Sequence, residues 1–201
     1  MLKQVFIVAV MASCLTSCGS KKDVAITDEH VGKEISNKKK HVAKPVYNTI
    51  LSDNDRKYFA DKLGVKTIDI DNDKLYNFVK SWEGTKYVYG GENRQGIDCS
   101  ALMRELYSYV YNRKLPRTAA EMAMDRRIDL FKSKENLREG DLVFFRITEE
   151  KIITHVGIYL KNDKFFSANQ SGGSEISSLK HSYWKKNFIT AGRFQEATYD
   201  K

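Results

Sequence analysis

The spacing of apolar residues changes near residue 140, and that change restricts the fold more than any other feature of the chain. Upstream, apolar side chains recur at helical intervals. Leu75, Phe78, Val79 and Trp82 share one face of a helix predicted over 71–82. Ser52 and Gly64 bracket a helix over 53–63 as N-cap and stop. A third helix is predicted over 98–111, and Thr118-Ala119-Ala120-Glu121 has the capping-box pattern that starts a fourth. Downstream, the apolar runs are short and rich in β-branched and aromatic residues, at 142–145, 152–160, 164–168, 174–178 and 189–194. Turn signals such as Glu139-Gly140-Asp141 and Lys161-Asn162-Asp163 separate them. Helices first and strands second predict an α+β domain with an antiparallel sheet packed on the helices.

The N-terminus has a different logic. Met1-Leu2-Lys3-Gln4 is a short positive start, followed by an apolar run over 5–12. A spanning helix needs roughly 20 apolar residues, so the run is too short and reads as an export signal. It ends in Leu15-Thr16-Ser17-Cys18, which resembles the bacterial lipoprotein signal. That resemblance implies a signal peptide over 1–17, removal of Cys14 with it, and Cys18 as the lipidated N-terminus. A plain secretory signal ending near Ser17 is the alternative. Residues 18–49 read as a tether, because the Lys, Asp, Glu, Ser and Asn found there bury too little to order a chain. Lys38-Lys39-Lys40 is either solvated or set against anionic head groups. The folded domain is expected over 50–201. The formal charge is +8, which suits an anionic neighbour. Many of the lysines fall in the tether, however, and no nucleic-acid partner is expected.

Of three cysteines, only Cys99 lies in the predicted domain, so there is no disulfide framework. In Gly96-Ile97-Asp98-Cys99-Ser100-Ala101-Leu102, Asp98 is placed to cap the third helix and Cys99 falls in its first turn. Unpaired backbone N–H groups and the macrodipole favour an anion there, which would lower the thiol pKa and make it a nucleophile. A buried apolar cysteine is the other reading, and spacing alone leaves both open. A thiolate nucleophile needs a base. The domain offers His155, in Ile153-Thr154-His155-Val156-Gly157-Ile158-Tyr159, and His181, which reads as a loop or surface residue. Taken alone on its strand, His155 fits a satisfied core histidine better than a base. No histidine or cysteine cluster has metal-ligand spacing, and no cofactor is expected.

These pieces resemble the NlpC-type cysteine peptidases, bacterial cell-wall endopeptidases of papain-like fold, from about Lys74 to Arg193. The resemblance is carried by Gly84-Thr85-Lys86-Tyr87-Val88-Tyr89-Gly90-Gly91, Gly96-Ile97-Asp98-Cys99-Ser100 and Leu115-Pro116-Arg117-Thr118. It continues through Gly140-Asp141-Leu142-Val143-Phe144-Phe145 and His155-Val156-Gly157-Ile158-Tyr159. It implies Cys99 as nucleophile, His155 as base and Tyr87 as an active-site tyrosine beside the thiolate. Asp98, Ser100 and Arg117 are the implied substrate-binding positions, with Arg117 placed to attract stem-peptide carboxylates or to act structurally. The family's third catalytic residue, most often histidine, falls here on Ser167, with Asn169 two residues on and on the same strand face. The implied substrate is the peptidoglycan stem peptide, cut between D-glutamate and a diamino acid, by a monomer anchored to membrane. Gly19 rather than aspartate after Cys18 points to the outer membrane of a Gram-negative envelope. Amidase or acyltransferase chemistry on the same scaffold, and a non-catalytic wall-peptide binder, are the rival readings.

Overall fold

The computed structural model describes residue 47 and residues 49–195. The expected signal peptide, the lipidation site Cys18 and nearly all of the tether lie outside the described residues.

The helical half forms much as its caps dictate. Helix α1 (Asp53–Leu63) starts where the Ser52 hydroxyl accepts from the Asp55 N–H, and it stops at Gly64, whose φ of 67° is left-handed. Helix α2 (Asp73–Trp82) starts two residues later than its apolar pattern predicts. The reason is the cap: the Asn72 side chain accepts from the Leu75 N–H, so the helix cannot begin before it. A two-stranded ribbon, β1 (Glu92–Asn93) and β2 (Gly96–Ile97), then delivers the chain to α3 (Cys99–Tyr111). The capping box at Thr118 and Glu121 forms, but α4 (Ala119–Ala123) is only five residues long.

The strands are β3 (Ile128–Phe131), β4 (Leu142–Phe145), β5 (His155–Tyr159), β6 (Lys164–Asn169), β7 (Gly173–Ser178) and β8 (Phe188–Phe194). A short helix, α5 (Ser182–Asn187), precedes β8. They form one six-stranded antiparallel sheet in the order β3-β8-β4-β5-β6-β7. The fold is therefore the expected α+β arrangement of the papain-like kind. Strand β5 is shorter than the apolar run 152–160, because Ile152 and Ile153 precede the sheet and line a groove instead. β3 and α5 were not legible: in β3 only Ile128 is buried, and in α5 only Trp184.

One face of the sheet packs on the helices through Leu142, Phe144, Val156, Ile158 and Phe166, which meet Leu102, Met103 and Leu106 of α3. The other face carries a smaller cluster of Val143, Phe145, Phe165, Leu179, Trp184 and Ala191. Alternation along each strand sorts the residues between the two faces. The Arg193 guanidinium pins β8 to the start of β4, donating to both oxygens of the buried Asp141 carboxylate at 2.7 Å. No helix among the described residues is long and apolar enough to cross a membrane.

Candidate active site

The first turn of α3 is held by polar contacts. Asp98 caps it, accepting from the Ala101 N–H at 2.7 Å and from the Ser100 hydroxyl at 2.9 Å. The Arg117 guanidinium closes the arrangement, donating to both Asp98 oxygens at 2.7 and 3.2 Å and to the Ser100 hydroxyl at 2.8 Å. It also lies 2.8 Å from Glu92. The three implied substrate-binding residues, Asp98, Ser100 and Arg117, thus bind one another. Burial alone would raise the Asp98 carboxyl, but Arg117, the Ala101 N–H and Ser100 outweigh it and hold the group below the usual carboxylate range. Arg117 is already paired with two carboxylates, which leaves less free charge for a substrate than its sequence context implied.

Cys99 itself is 7% exposed. Burial pushes its thiol up to about 11, while the backbone N–H groups of Val156, Ser100 and Cys99 pull the other way. The expectation of a lowered pKa is not met in this resting geometry. A helix N-terminus favours the anion by about 1 kcal/mol, and desolvation of a nearly enclosed sulfur exceeds that. The Val156 N–H can reach the sulfur because the β5–β6 ladder runs only through Ile158–Phe166 and Tyr159–Phe165.

Tyr87 reaches the site along an extended segment that bridges Ile97, the residue before the cap. The Ile97 N–H donates to the Lys86 carbonyl and the Val88 N–H to the Ile97 carbonyl. Gly96 permits this approach, since a Cβ there would sit 2.2 Å from a Val88 methyl. Burial, Cys99 and Asp98 together push the Tyr87 hydroxyl up to about 12, so it remains a neutral donor.

His155 is held differently. Its ring stacks on Trp184 with centroids 5.1 Å apart and planes at 27°, and it meets Phe145 at 5.7 Å. It is 2% exposed, and burial pushes its pKa down to about 3. Its Nε2 atom is buried without a hydrogen-bond partner, and so is the Ser167 hydroxyl. The two polar groups that were to form an orienting pair do not meet. Asn169 does not replace Ser167. Its Oδ1 accepts from the Ser171 N–H, the Ser171 hydroxyl and the Gly172 N–H, and its Nδ2 donates to Glu175 at 2.9 Å. Asn169 staples the β6–β7 turn instead.

The structure brings Cys99 and His155 to one groove with two lobes. Cys99, Asp98, Ser100 and Arg117 line a lobe of about 590 Å³; His155, Trp184 and Glu175 line the other, of about 780 Å³. Tyr87, Ile147, Thr148, Thr154 and Gln170 line both, so the lobes adjoin. No hydrogen bond joins the thiol to the imidazole among the described residues. Thr154 and Gln170, which line the junction, carry no motif and were missed by sequence reasoning. His181 is exposed, as expected, just before α5. No group of three metal-ligating side chains occurs among the described residues.

Comparison with known proteins places this geometry in a wider set. A model of the NlpC/P60 family matches residues 84–193. The chain is 39% identical over 120 residues to the "Probable endopeptidase NlpC homolog" of Haemophilus influenzae, covering 59% of this chain and 61% of that one. It is 35% identical over 130 residues to the "Murein DD-endopeptidase MepS/Murein LD-carboxypeptidase" of Escherichia coli K12, covering 64% of this chain and 65% of the relative. The chain thus spans less than two thirds of the length of either. Among solved structures, a Staphylococcus aureus NLP/P60 protein described as similar to lipoprotein superposes with a TM-score of 0.53 at 25% identity, over 76% of this chain and 45% of that one. A Bacillus cereus NlpC/P60 protein shares the fold with a TM-score of 0.55 at 24% identity, over 63% and 41%.

Proposed function

The chain belongs to the NlpC/P60 family, and from that premise we propose that it is a cysteine peptidase that hydrolyses peptide bonds in peptidoglycan stem peptides, of the D-glutamyl-diamino acid type. One observation carries the reading: Cys99, at the start of α3, and His155, at the start of β5, open into adjoining lobes of one groove. The naming of two similar proteins as endopeptidases supports the substrate class.

In this reading the resting pair is a neutral thiol and a neutral imidazole. As the scissile carbonyl enters the junction, His155 takes the Cys99 proton while the sulfur attacks the carbonyl carbon. The backbone N–H groups of Cys99 and Ser100 are the first-turn donors that Asp98 leaves free. They and the Tyr87 hydroxyl are available to the developing oxyanion. The C–N bond breaks as His155 hands its proton to the leaving amine, leaving a thioester on Cys99. A water then loses a proton to His155, attacks the thioester, and releases the carboxylic acid and the thiol. Trp184 holds the imidazole by stacking, in place of a hydrogen-bonding third residue. Anchoring through a lipid on Cys18 is part of the same proposal, supported by Leu15-Thr16-Ser17-Cys18.

The test is digestion of purified peptidoglycan with mass analysis of the fragments, beside a Cys99→Ala control. The wild type releases stem-peptide fragments with a new amino terminus on the diamino acid, and the control releases none. One observation favours a second reading, a wall-peptide binder: the thiol and imidazole are not hydrogen-bonded, and His155 lacks a polar partner at Nε2. Binding of sacculi by the wild type without fragment release decides for that reading.

A further inference from the structure

The two lobes differ in charge. The Cys99 lobe carries Arg117, Asp98 and Glu150, whereas Glu175 is the one formally charged side chain among the described residues lining the His155 lobe, with histidines neutral. In a chain of net charge +8, a carboxylate facing a groove would be expected to have a basic neighbour. No described lysine or arginine forms an ion pair with Glu175.

The carboxylate is nonetheless held in place. Its Oε1 accepts from Asn169 Nδ2 at 2.9 Å and from the Ser177 hydroxyl at 3.3 Å. Asn169 is itself fixed by three donors from the turn at 171–172. Gly172 leaves room for the second oxygen, since a Cβ there would sit 2.2 Å from Oε2. Strand β7 is anchored to the Tyr87 segment, with the Ser174 N–H donating to the Thr85 carbonyl and the Gly84 N–H to the Ser174 carbonyl, both at 2.8 Å. Glu175 lies opposite Ser167 in the β6–β7 register. A positioned carboxylate with one oxygen still open and no cation is a receptor for a cation.

The chemistry says which part of a substrate comes here. His155 gives its proton to the leaving amine, so the residue that supplies that amine occupies the lobe His155 lines. We infer that Glu175 is a specificity-determining residue that binds a second, unacylated ammonium on the residue supplying the leaving amine. The substrate class is therefore a diamino residue with its side-chain amine free. This rests on the hydrolase reading above for its orientation, but the binding it describes does not require cleavage.

The test uses two synthetic stem peptides that differ only in the side-chain amine of the diamino residue, one free and one acetylated. In the full chain, kcat/KM for the free amine exceeds that for the acetylated one by about tenfold, the scale of one charge-assisted hydrogen bond in a half-open site. Glu175→Gln keeps an acceptor for Asn169 and lowers the preference to about onefold. Calorimetric binding of both peptides to Cys99→Ala, with and without Glu175→Gln, reads the same preference without turnover. Preference in binding with no cleavage by the wild type sinks the hydrolase reading and leaves the subsite standing. Cleavage without preference, a preference that survives Glu175→Gln, or tighter binding of the acetylated peptide overturns the subsite.

Discussion

Cys99 sits at the end of a hydrogen-bonded lattice, whereas His155 sits in a stack of rings. Asp98, Ser100, Arg117 and Glu92 tie the first turn of α3 together through directed polar contacts, several at 2.7–2.9 Å. On the other side of the groove, Phe145 and Trp184 hold the imidazole by shape, and no directed bond reaches Nε2. Polar contacts fix a group's distance and angle, while stacking fixes its plane and keeps water away. The difference separates two requirements of the proposed chemistry: an exactly placed sulfur, and a base that stays neutral.

Removal of the base itself gives the largest effect. His155→Ala lowers peptidoglycan hydrolysis on the order of 10⁴-fold, with thermal unfolding still cooperative. Retained turnover would transfer the base role to another group.

Next comes the stack. Trp184→Leu lowers kcat by about tenfold, and Trp184→Phe restores most of it, because a ring rather than an indole is what the imidazole needs. The pH profile distinguishes positioning from mere packing. Burial holds His155 near 3, so its protonation sets no acid limb near neutrality in the wild type. Loss of the cover lets its pKa rise toward the free value of about 6.5, and an acid limb appears in kcat/KM between roughly pH 5 and 7. A rate loss with an unmoved profile would reduce Trp184 to a core residue.

Asp98→Ala attacks the polar side. It uncaps α3 and leaves Arg117 with Glu92 and Ser100 alone, for a stability loss of about 2 kcal/mol in denaturant titrations. The wild-type carboxyl is depressed below its unfolded value. Its contribution is therefore complete above about pH 4 and is lost as pH falls through the folded pKa. Asp98→Ala should accordingly differ most from wild type at neutral pH and converge with it in strong acid.

Ser167→Ala gives the smallest effect. A hydroxyl that makes no bond contributes little when removed, so the rate changes less than about threefold and stability by under about 1 kcal/mol. A tenfold loss would mean that Ser167 orients His155 after all, and that the ring stack is secondary.

The same contrast decides what was legible in the sequence. Caps and turns are local: Ser52, Gly64, Asp98 and Thr118 act within three or four residues, and the pattern alone revealed them. The lattice around Cys99 spans short gaps between motif residues, so its members could be named, though not their mutual pairing. The stack on His155 joins residues 145, 155 and 184, and nothing local in Ser182-Tyr183-Trp184 announces a partner on β5. Ser167 shows the reverse error. Family register pointed to this position, but its hydroxyl has no hydrogen-bond partner, and neither has His155 Nε2. The thiol pKa also depended on enclosure, which no sequence window displays.

The sheet order has a bearing on how the molecule is made. β8 comes last in chain order among the described strands, yet it lies between β3 and β4. Phe131 waits for Ala191 and Ile128 for Phe194, some sixty positions later in the chain. Until those residues arrive, β3 has no strand partner among the described residues, and the edge of β4 that pairs with β8 is bare. A nascent chain of this design keeps that part of the sheet open until the residues of β8 have been made, and then closes it by inserting β8 into a waiting slot.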